Sequence, residues 1–130
     1  MIAALFLLAA APAEPEETCE NPMTQLAMNM CSYRDFQRAD AALNAQWPIT
    51  LAAMKQADRQ LDRTYDRQPG YADTLLAAQR AWLTYRHQHC LSESFTARGG
   101  SMAPMLVSGC EASLTEARTK QLKELAETEN

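Results

Sequence analysis

Glycine and proline are scarce in this sequence, with 4 Gly and 6 Pro among 130 residues. Because the turns between antiparallel strands favour these residues, their scarcity argues against an all-β sandwich. The net charge of −4 has the wrong sign for a protein that wraps nucleic acid or binds an anionic membrane, so a basic partner is favoured. The length allows one ordinary soluble domain and excludes two packed domains.

The sequence also lacks a hydrophobic run of the ~20 residues that a membrane-spanning helix requires. The apolar stretch from Ile2 to Ala11 leads into an Ala-Pro-Ala cleavage pattern. We therefore predict a secretory signal peptide at residues 1–13, followed by an acidic N-terminal segment at residues 14–23. Cys19 lacks the small-residue motif that precedes a lipidated cysteine. A secreted or periplasmic protein with no stable membrane anchor after cleavage is expected.

No C-x-x-C pair occurs, and structural zinc sites normally use such closely spaced cysteines. The 4 Cys all follow the predicted cleavage site, and an even number in an oxidising compartment favours disulfides. Three pairings are possible. We favour the local one, Cys19 with Cys31 and Cys90 with Cys110, which closes loops of about 12 and 20 residues and contributes about 3 kcal/mol per bridge.

Apolar spacing predicts helices in the first half of the chain. Thr24 is a candidate N-cap of the first helix, and an apolar stripe continues in phase from Leu43 to Tyr65. Pro48 lies within this stripe. Because proline lacks a backbone donor and clashes with the preceding turn, we expect it to kink or break the helix. Gln68-Pro69-Gly70 predicts a turn, in which the glycine can adopt the left-handed conformation that closes helices.

Two further helices are predicted in the second half. The clearest pattern is a coiled-coil-like seam of Tyr71, Leu75, Ala78, Trp82, Tyr85 and His89. Arg98-Gly99-Gly100 ends that helix, Ser101 is a candidate N-cap of the next one, and Pro104 fits its first turn. The last apolar stripe consists of Leu106, Cys110, Leu114, Ala117, Gln121 and Leu125.

These elements predict an all-α fold. Short turns make neighbouring helices run antiparallel, which gives a small bundle of about four helices over residues 24–126, one of them kinked at Pro48. The two disulfides staple the bundle, and the second would tie its last two helices together.

No arrangement of catalytic side chains can be argued from the sequence. His87 and His89 point about 200° apart on a helix and so do not chelate one ion. Methionines at helical spacing are more typical of a core than of copper ligands. We therefore expect no enzyme activity, no metal site and no cofactor. A metal-handling protein is a minor alternative, which free thiols or bound copper would indicate.

Charges of alternating sign precede the predicted turn. The pattern indicates a solvated helix face whose charges pair with one another. Its members are Asp58, Arg59, Asp62, Arg63, Asp66 and Arg67.

Two adjacent glycines stand out, because each costs backbone entropy that a simple connector avoids. One interpretation is a tight interhelical turn followed by an N-cap. The other is a protruding recognition loop that includes Arg98, whose five N–H donors suit carboxylates. This Arg98–Ser101 loop consists of Arg98, Gly99, Gly100 and Ser101.

The ordered motifs of the chain resemble the LprI-type lysozyme-inhibitor family of small secreted bacterial proteins. The resemblance covers roughly residues 19 to 125 and is carried by Cys19, Thr24-Gln25, Met28-Asn29-Met30-Cys31, Ala39-Asp40, Leu43-Asn44, Ala78-Gln79-Arg80-Ala81-Trp82, Tyr85-Arg86, Cys90, Gly99-Gly100-Ser101, Pro104-Met105, Cys110, Thr115 and Arg118. It implies a helical protein that inhibits lysozyme by binding. Lysozymes are typically basic and cleave through two carboxyl groups in a cleft, so an acidic protein is attracted to them.

The resemblance leads to a specific hypothesis, in which the Arg98–Ser101 loop enters the lysozyme cleft and donates hydrogen bonds to its carboxylates. The other candidate patch consists of Gln79, Arg80, Trp82, Tyr85 and Arg86. Trp82 and Tyr85 lie on the predicted seam and are more typical of a core, and Asp40 is an alternative partner for both arginines inside the bundle. The alternative function is a non-enzymatic periplasmic module with a structural or envelope-stress role that binds another envelope protein or a wall fragment.

Overall fold

The computed structural model describes residues 18–128, so the predicted signal peptide and the first four residues of the acidic segment lie outside the described residues. Within that range the secondary structure is helical: α1 spans Gln25–Gln60, α2 spans Tyr71–Ser94, a 3₁₀ turn spans Phe95–Ala97 and α3 spans Ala103–Thr128. The predicted all-α class is confirmed, whereas the predicted number of about four helices is wrong, since the described residues form three long ones. None of these helices is long and apolar enough to cross a membrane.

α1 is a single helix of 36 residues. Thr24 caps it as predicted, since its Oγ1 accepts a hydrogen bond from the Ala27 N–H at 3.1 Å. The helix continues through Pro48, so of the two expected outcomes, a kink or a break, the break is excluded. Leu43 and Met54, on either side of the proline, both belong to the buried core, and their packing compensates for the missing backbone hydrogen bond. α1 also runs without a break from Gln25 into the stripe that starts at Leu43, so the two helices predicted for the first half of the chain are one helix.

The loop between α1 and α2 starts earlier than the apolar stripe predicts. Leu61 is the extended C-cap residue of α1, and Tyr65 is 96% exposed. The predicted self-paired helix face is therefore wrong from residue 61 onward. Instead, Asp62 accepts hydrogen bonds from the backbone and hydroxyl of Thr64, and Asp66 accepts one from the Gln68 N–H. Such local bonds to aspartate favour turns over helix.

Asp58, in the last turn of α1, caps the first turn of α2. Its carboxylate accepts hydrogen bonds from the Tyr71 N–H at 2.7 Å and the Ala72 N–H at 3.0 Å. Gly70 is the N-cap residue of α2 and has φ −65°, so the predicted left-handed conformation is wrong at this residue. The position instead needs glycine for space, because a Cβ there would lie 2.8 Å from the Asp58 Oδ1 atom.

We expect Asp58→Ala to lower the melting temperature at pH 7, since it leaves two N–H groups at the start of α2 without their acceptor. Hydrogen bonds from Ala72 and Tyr71 hold the pKa of Asp58 below its ordinary value of 3.8. A lowered pKa means that this stabilisation is present above the unfolded-state pKa and is lost as the pH falls through the folded-state value. Thermal unfolding from pH 7 down to pH 2, with Asp58→Asn as the uncharged control, checks this. An equal gap between wild type and Asp58→Ala at every pH would contradict it.

The three helices pack around a core cluster of Leu43, Met54, Leu75 and Leu122. α2 runs antiparallel to both other helices, whereas α1 and α3 run parallel and share the most extensive contact. Hydrogen bonds join this pair near both ends, from Asn29 Nδ2 to the Ser101 carbonyl at 2.9 Å and from Thr50 Oγ1 to the Leu122 carbonyl at 2.8 Å. The bundle is therefore antiparallel only between helices adjacent in sequence.

The buried face of α3 differs from the predicted apolar stripe. It consists of Ser108, Ala112, Thr115, Thr119, Leu122 and Ala126. In the predicted stripe, Ala117, Gln121 and Leu125 are exposed. Small side chains let α1 approach α3 closely, and the Thr119 hydroxyl satisfies itself by donating to the Thr115 carbonyl at 3.0 Å.

Candidate functional site

Two disulfides brace the end of the bundle at which α2 turns into α3. The bonds are Cys19–Cys31 and Cys90–Cys110, and no cysteine is free, so the favoured pairing is confirmed. Cys90–Cys110 joins the last turns of α2 to the first turns of α3 and encloses the Arg98–Ser101 loop. The other bond fixes the segment before α1 onto that helix. The base of the loop is therefore covalently closed.

The Arg98–Ser101 loop is an exposed turn with a defined backbone. Gly99 has φ +78°, a left-handed conformation that favours glycine. A Cβ atom at this position would meet nothing within 4 Å, so the backbone conformation and not a lack of space requires glycine there. The Gly100 N–H donates to the Ala97 carbonyl at 2.9 Å. The guanidinium carbon of Arg98 lies 4.6 Å from the centre of the Phe95 ring, a cation–π contact that orients the charge. Arg98 is thus presented at the surface in a preferred direction.

Two side chains of α1, Asn29 and Ser32, anchor the loop and the start of α3. Asn29 donates to the Ser101 carbonyl, and its own Oδ1 accepts from Gln25 Nε2 at 2.9 Å. Ser32 Oγ donates to the carbonyl of Met105 at 2.9 Å. α3 begins at Ala103, so Ser101 does not stand directly before the helix and the predicted N-cap is wrong. The predicted position of Pro104, in the first turn, is confirmed.

Exposed apolar side chains lie around this end of the bundle. Leu26, Met30 and Tyr33 follow each other at steps of four and three residues on one face of α1, next to Asn29 in the helix. All three side chains are exposed. Phe95 and Met102, which flank the loop in the chain, are also exposed. Sequence reasoning missed this surface, because apolar residues at helical spacing are usually core residues.

Arg86 of α2 joins all three helices. Its Nη1 donates to Asp40 Oδ1 of α1 at 3.0 Å and to Thr115 Oγ1 of α3 at 2.9 Å, and its side chain is only 12% exposed. The guanidinium lies about 5 Å from the ring centres of Phe36 and Trp82. The alternative that Asp40 pairs with an arginine inside the bundle is therefore confirmed for Arg86.

Asn44 supports this ion pair from within α1. Its Nδ2 donates to Asp40 Oδ2 at 3.3 Å, so both oxygens of the carboxylate are engaged. Leu43, the neighbouring motif residue, belongs to the core. These three motif residues of α1, Asp40, Leu43 and Asn44, therefore contribute to the contacts that hold the helices together.

The second candidate patch does not form one surface. Gln79 is buried and accepts a hydrogen bond from Arg118 Nε at 2.9 Å, while Arg86 is engaged inside the bundle. Arg80 is exposed on α2. Trp82 is half-buried between the two internal arginines, and Tyr85 is exposed rather than in the predicted seam. Contact of Gln79, Arg80 and Arg86 with a partner stays a prediction, and only Arg80 among them offers much accessible surface.

Both histidines lie beside glutamates. His87 Nδ1 is 3.4 Å from Glu111 Oε1, and His89 Nε2 is 3.0 Å from Glu93 Oε1, with the His89 ring stacked on Tyr85. Ligand atoms of His89, Glu93 and Cys110 lie within 4.8 Å of one another. The sulfur of Cys110, however, is bonded to Cys90 and is not a thiolate ligand. This group therefore lacks the donor set of a three-residue metal site.

The fold and the loop define a small, disulfide-braced helical protein that presents a closed glycine loop at one end. The model of the family described as lysozyme inhibitor LprI matches residues 16–122 of this chain. An uncharacterized protein of Rhizobium meliloti strain 1021 is 44% identical over 127 residues, which cover 95% of this chain and 91% of that protein. No solved structure matches. The chain belongs to the LprI lysozyme inhibitor family, as the resemblance implied.

Proposed function

We propose that this protein is a secreted or periplasmic inhibitor of lysozyme that acts by inserting the Arg98–Ser101 loop into the active-site cleft. The observation that carries the proposal is the shape of the loop, which is exposed at its tip, closed at its base by Cys90–Cys110 and anchored through Ser101 to α1. Membership of the family supplies the target. Two disulfides support a location outside the cytoplasm, because such bonds persist in oxidising compartments.

Recognition would rest on the chemistry of the lysozyme cleft, whose two carboxyl groups accept hydrogen bonds from Arg98. A guanidinium forms paired, charge-assisted bonds to a carboxylate, and the Phe95 contact already orients it. Because the loop is held in place before binding, little conformational entropy is lost on association. The net charge of −4 attracts a basic enzyme and favours fast association.

The exposed apolar residues beside the loop would supply the rest of the interface. Leu26, Met30 and Tyr33 flank Asn29, which anchors the loop through the Ser101 carbonyl. Interface centres are enriched in aromatic residues and methionine, so this surface is the natural neighbour of a loop that enters a cleft.

The test is a cell-wall lysis assay in which the oxidised protein is titrated against several lysozyme types. We expect dose-dependent inhibition by the wild type, and a half-inhibitory concentration at least about tenfold higher for Arg98→Ala combined with Ser101→Ala, since buried charge-assisted bonds contribute 1–3 kcal/mol. Arg67→Ala, which removes another exposed arginine at the opposite end of the bundle, is the matched control and should inhibit like the wild type.

Different outcomes separate the parts of the proposal. Unchanged inhibition by the double variant would exclude the loop and leave another surface as the inhibitory one. No inhibition of any lysozyme at large molar excess would exclude the inhibitor function. The alternative function, a periplasmic module with a structural or envelope-stress role, would then remain.

A further inference from the structure

A cleft of about 650 Å³ opens at the end of the bundle away from the Arg98–Ser101 loop. Its walls are the last turns of α1, the loop before α2, the first turns of α2 and the second half of α3. Its apolar lining consists of Met54, Leu61, Pro69, Tyr71, Leu75 and Leu125. This volume falls within the range of pockets that bind small molecules. Tyr71 and Leu125 are 41% and 38% exposed, so the apolar lining reaches the mouth of the cleft.

Arg118 of α3 contributes a cation to the wall of this cleft. Its Nε donates to Gln79 Oε1 at 2.9 Å, and its Nη1 donates to Gln121 Oε1 at 3.0 Å. Its Nη2 is buried and meets no acceptor in the part of the chain that the structure describes. Both partners are neutral amides, and no carboxylate of residues 18–128 forms a salt bridge with Arg118.

The two internal arginines each have one buried donor without an acceptor, Arg86 Nε and Arg118 Nη2, but they differ in their counterion. Arg86 has a carboxylate partner in Asp40, as buried cations usually require. Arg118 is held by two amides and lies near the Trp82 ring, and burial lowers the pKa of its guanidinium. A partly desolvated cation without a carboxylate partner beside an apolar cleft is a favourable place for an anionic group, because Nη1 has a second N–H beyond the one that Gln121 accepts and can donate it in a charge-assisted hydrogen bond.

The loop between α1 and α2, which also lines the cleft, is held in place by hydrogen bonds. Arg63 Nη2 donates to the Gln68 carbonyl at 2.6 Å, and Asp58 ties the end of the loop to α2. Asp66 also lines the cleft, but its Oδ1 already accepts the Gln68 N–H at 2.8 Å. An anionic ligand would therefore direct its charge toward Arg118 and place its apolar part between Leu61, Tyr71 and Leu125.

We propose that this cleft binds a small apolar molecule that carries one carboxylate, with Arg118 donating to the carboxylate and the apolar side chains enclosing the body. Met54 and Asn29 are 25 residues apart on α1, which corresponds to about 37 Å of helix, so the cleft and the Arg98–Ser101 loop are separate sites. The proposal is independent of lysozyme inhibition. Two sources share this chemistry, a fatty acid and the C-terminal carboxylate of a short apolar peptide.

The experiment is a titration of the full disulfide-bonded protein followed by ¹H–¹⁵N NMR, with decanoate and N-acetyl-leucyl-leucine as probes and decan-1-ol as the uncharged control. We expect one of the two carboxylates to bind with a Kd below about 1 mM, as ligands of this size allow. The alcohol should bind at least tenfold more weakly. Shifted resonances should belong to residues around the cleft, and the better carboxylate indicates which source fits.

Two variants test the assignment in different ways. Arg118→Gln should weaken carboxylate binding at least tenfold and bring it to the level of the alcohol. Ala78→Phe, which places a ring in the cleft from an exposed position of α2, should weaken both probes without removing the charge. Arg38→Gln, which removes an exposed arginine of α1 outside the cleft, is the matched control and should bind like the wild type.

The proposal is overturned if neither carboxylate binds at millimolar concentration, or if acid and alcohol bind equally. Carboxylate binding that survives both Arg118→Gln and Ala78→Phe would also overturn it. If Arg118→Gln fails to fold by circular dichroism, Ala78→Phe and the comparison of acid with alcohol still decide the outcome. Lysozyme is absent from the experiment, so the result does not depend on the inhibitor function.

Discussion

Arg86→Ala is expected to lower the free energy of unfolding by about 3 kcal/mol, which is a large part of the stability of a domain of this size. The substitution removes the ion pair with Asp40 and the hydrogen bond to Thr115, and it leaves a gap between the rings of Phe36 and Trp82. Because this one side chain of α2 contacts both α1 and α3, its loss weakens two of the three helix pairs. Urea denaturation of the oxidised protein measures the change.

The matched control is Arg80→Ala, six residues earlier on the same helix and exposed, which should change stability by less than about 0.5 kcal/mol. Arg86→Met keeps much of the side-chain volume and separates packing from charge. A double-mutant cycle of Arg86→Met with Asp40→Asn then gives the pairwise coupling energy. Equal effects of the Arg86 and Arg80 alanine variants would show that Arg86 does not hold the helices together.

Replacing Cys90 and Cys110 together with alanine is expected to cost about 3 kcal/mol, because the bond closes a loop of 20 residues and so restricts the unfolded chain. Cys90 is fully buried, which adds a loss of packing to the entropic effect. The same change frees the base of the Arg98–Ser101 loop, so inhibition of lysozyme should decline more than stability alone explains. Urea denaturation and the lysis assay, at a temperature where the variant is folded, measure the two effects.

The pair Cys19 and Cys31 serves as the comparison. Its loop of 12 residues is shorter, and Cys19 lies on the exposed segment before α1. Alanine at both positions should therefore cost less stability than the loss of Cys90–Cys110. A larger cost at Cys19 and Cys31 would mean that the segment before α1 contributes more to the fold than its exposure indicates.

The motif residues of the family divide between two tasks. Asp40, Asn44, Arg86 and Thr115 form a polar junction between the three helices, and Asn29 and Ser101 fix the loop to α1. Most motif side chains therefore shape the scaffold, while the motif residue Gly99 and its neighbour Arg98, which is outside the motifs, lie at the surface. The proposed inhibitor function depends on both, because a loop that enters a cleft must be held in place from behind.

Features that depend on neighbouring residues in the chain could be predicted from the sequence. Short spacings in the chain predict the Thr24 cap, the glycine turn after α2 and the local disulfide pairing. All three are present in the structure. Asp40 was an alternative partner for Arg80 and Arg86 inside the bundle, and the ion pair forms with Arg86.

The tertiary structure alone decided which faces are buried. α3 buries Thr115 and Thr119 within the bundle, whereas Leu125 of the predicted stripe lies at the mouth of the cleft. Apolar periodicity depends only on where hydrophobic residues fall in the chain. Close approach of two helices instead favours small side chains, and a threonine hydroxyl can form its hydrogen bond within its own helix. Contacts distant in sequence also outweigh the local preferences of single residues. For this reason α1 continues through Pro48, and Asp58 accepts hydrogen bonds from the start of α2.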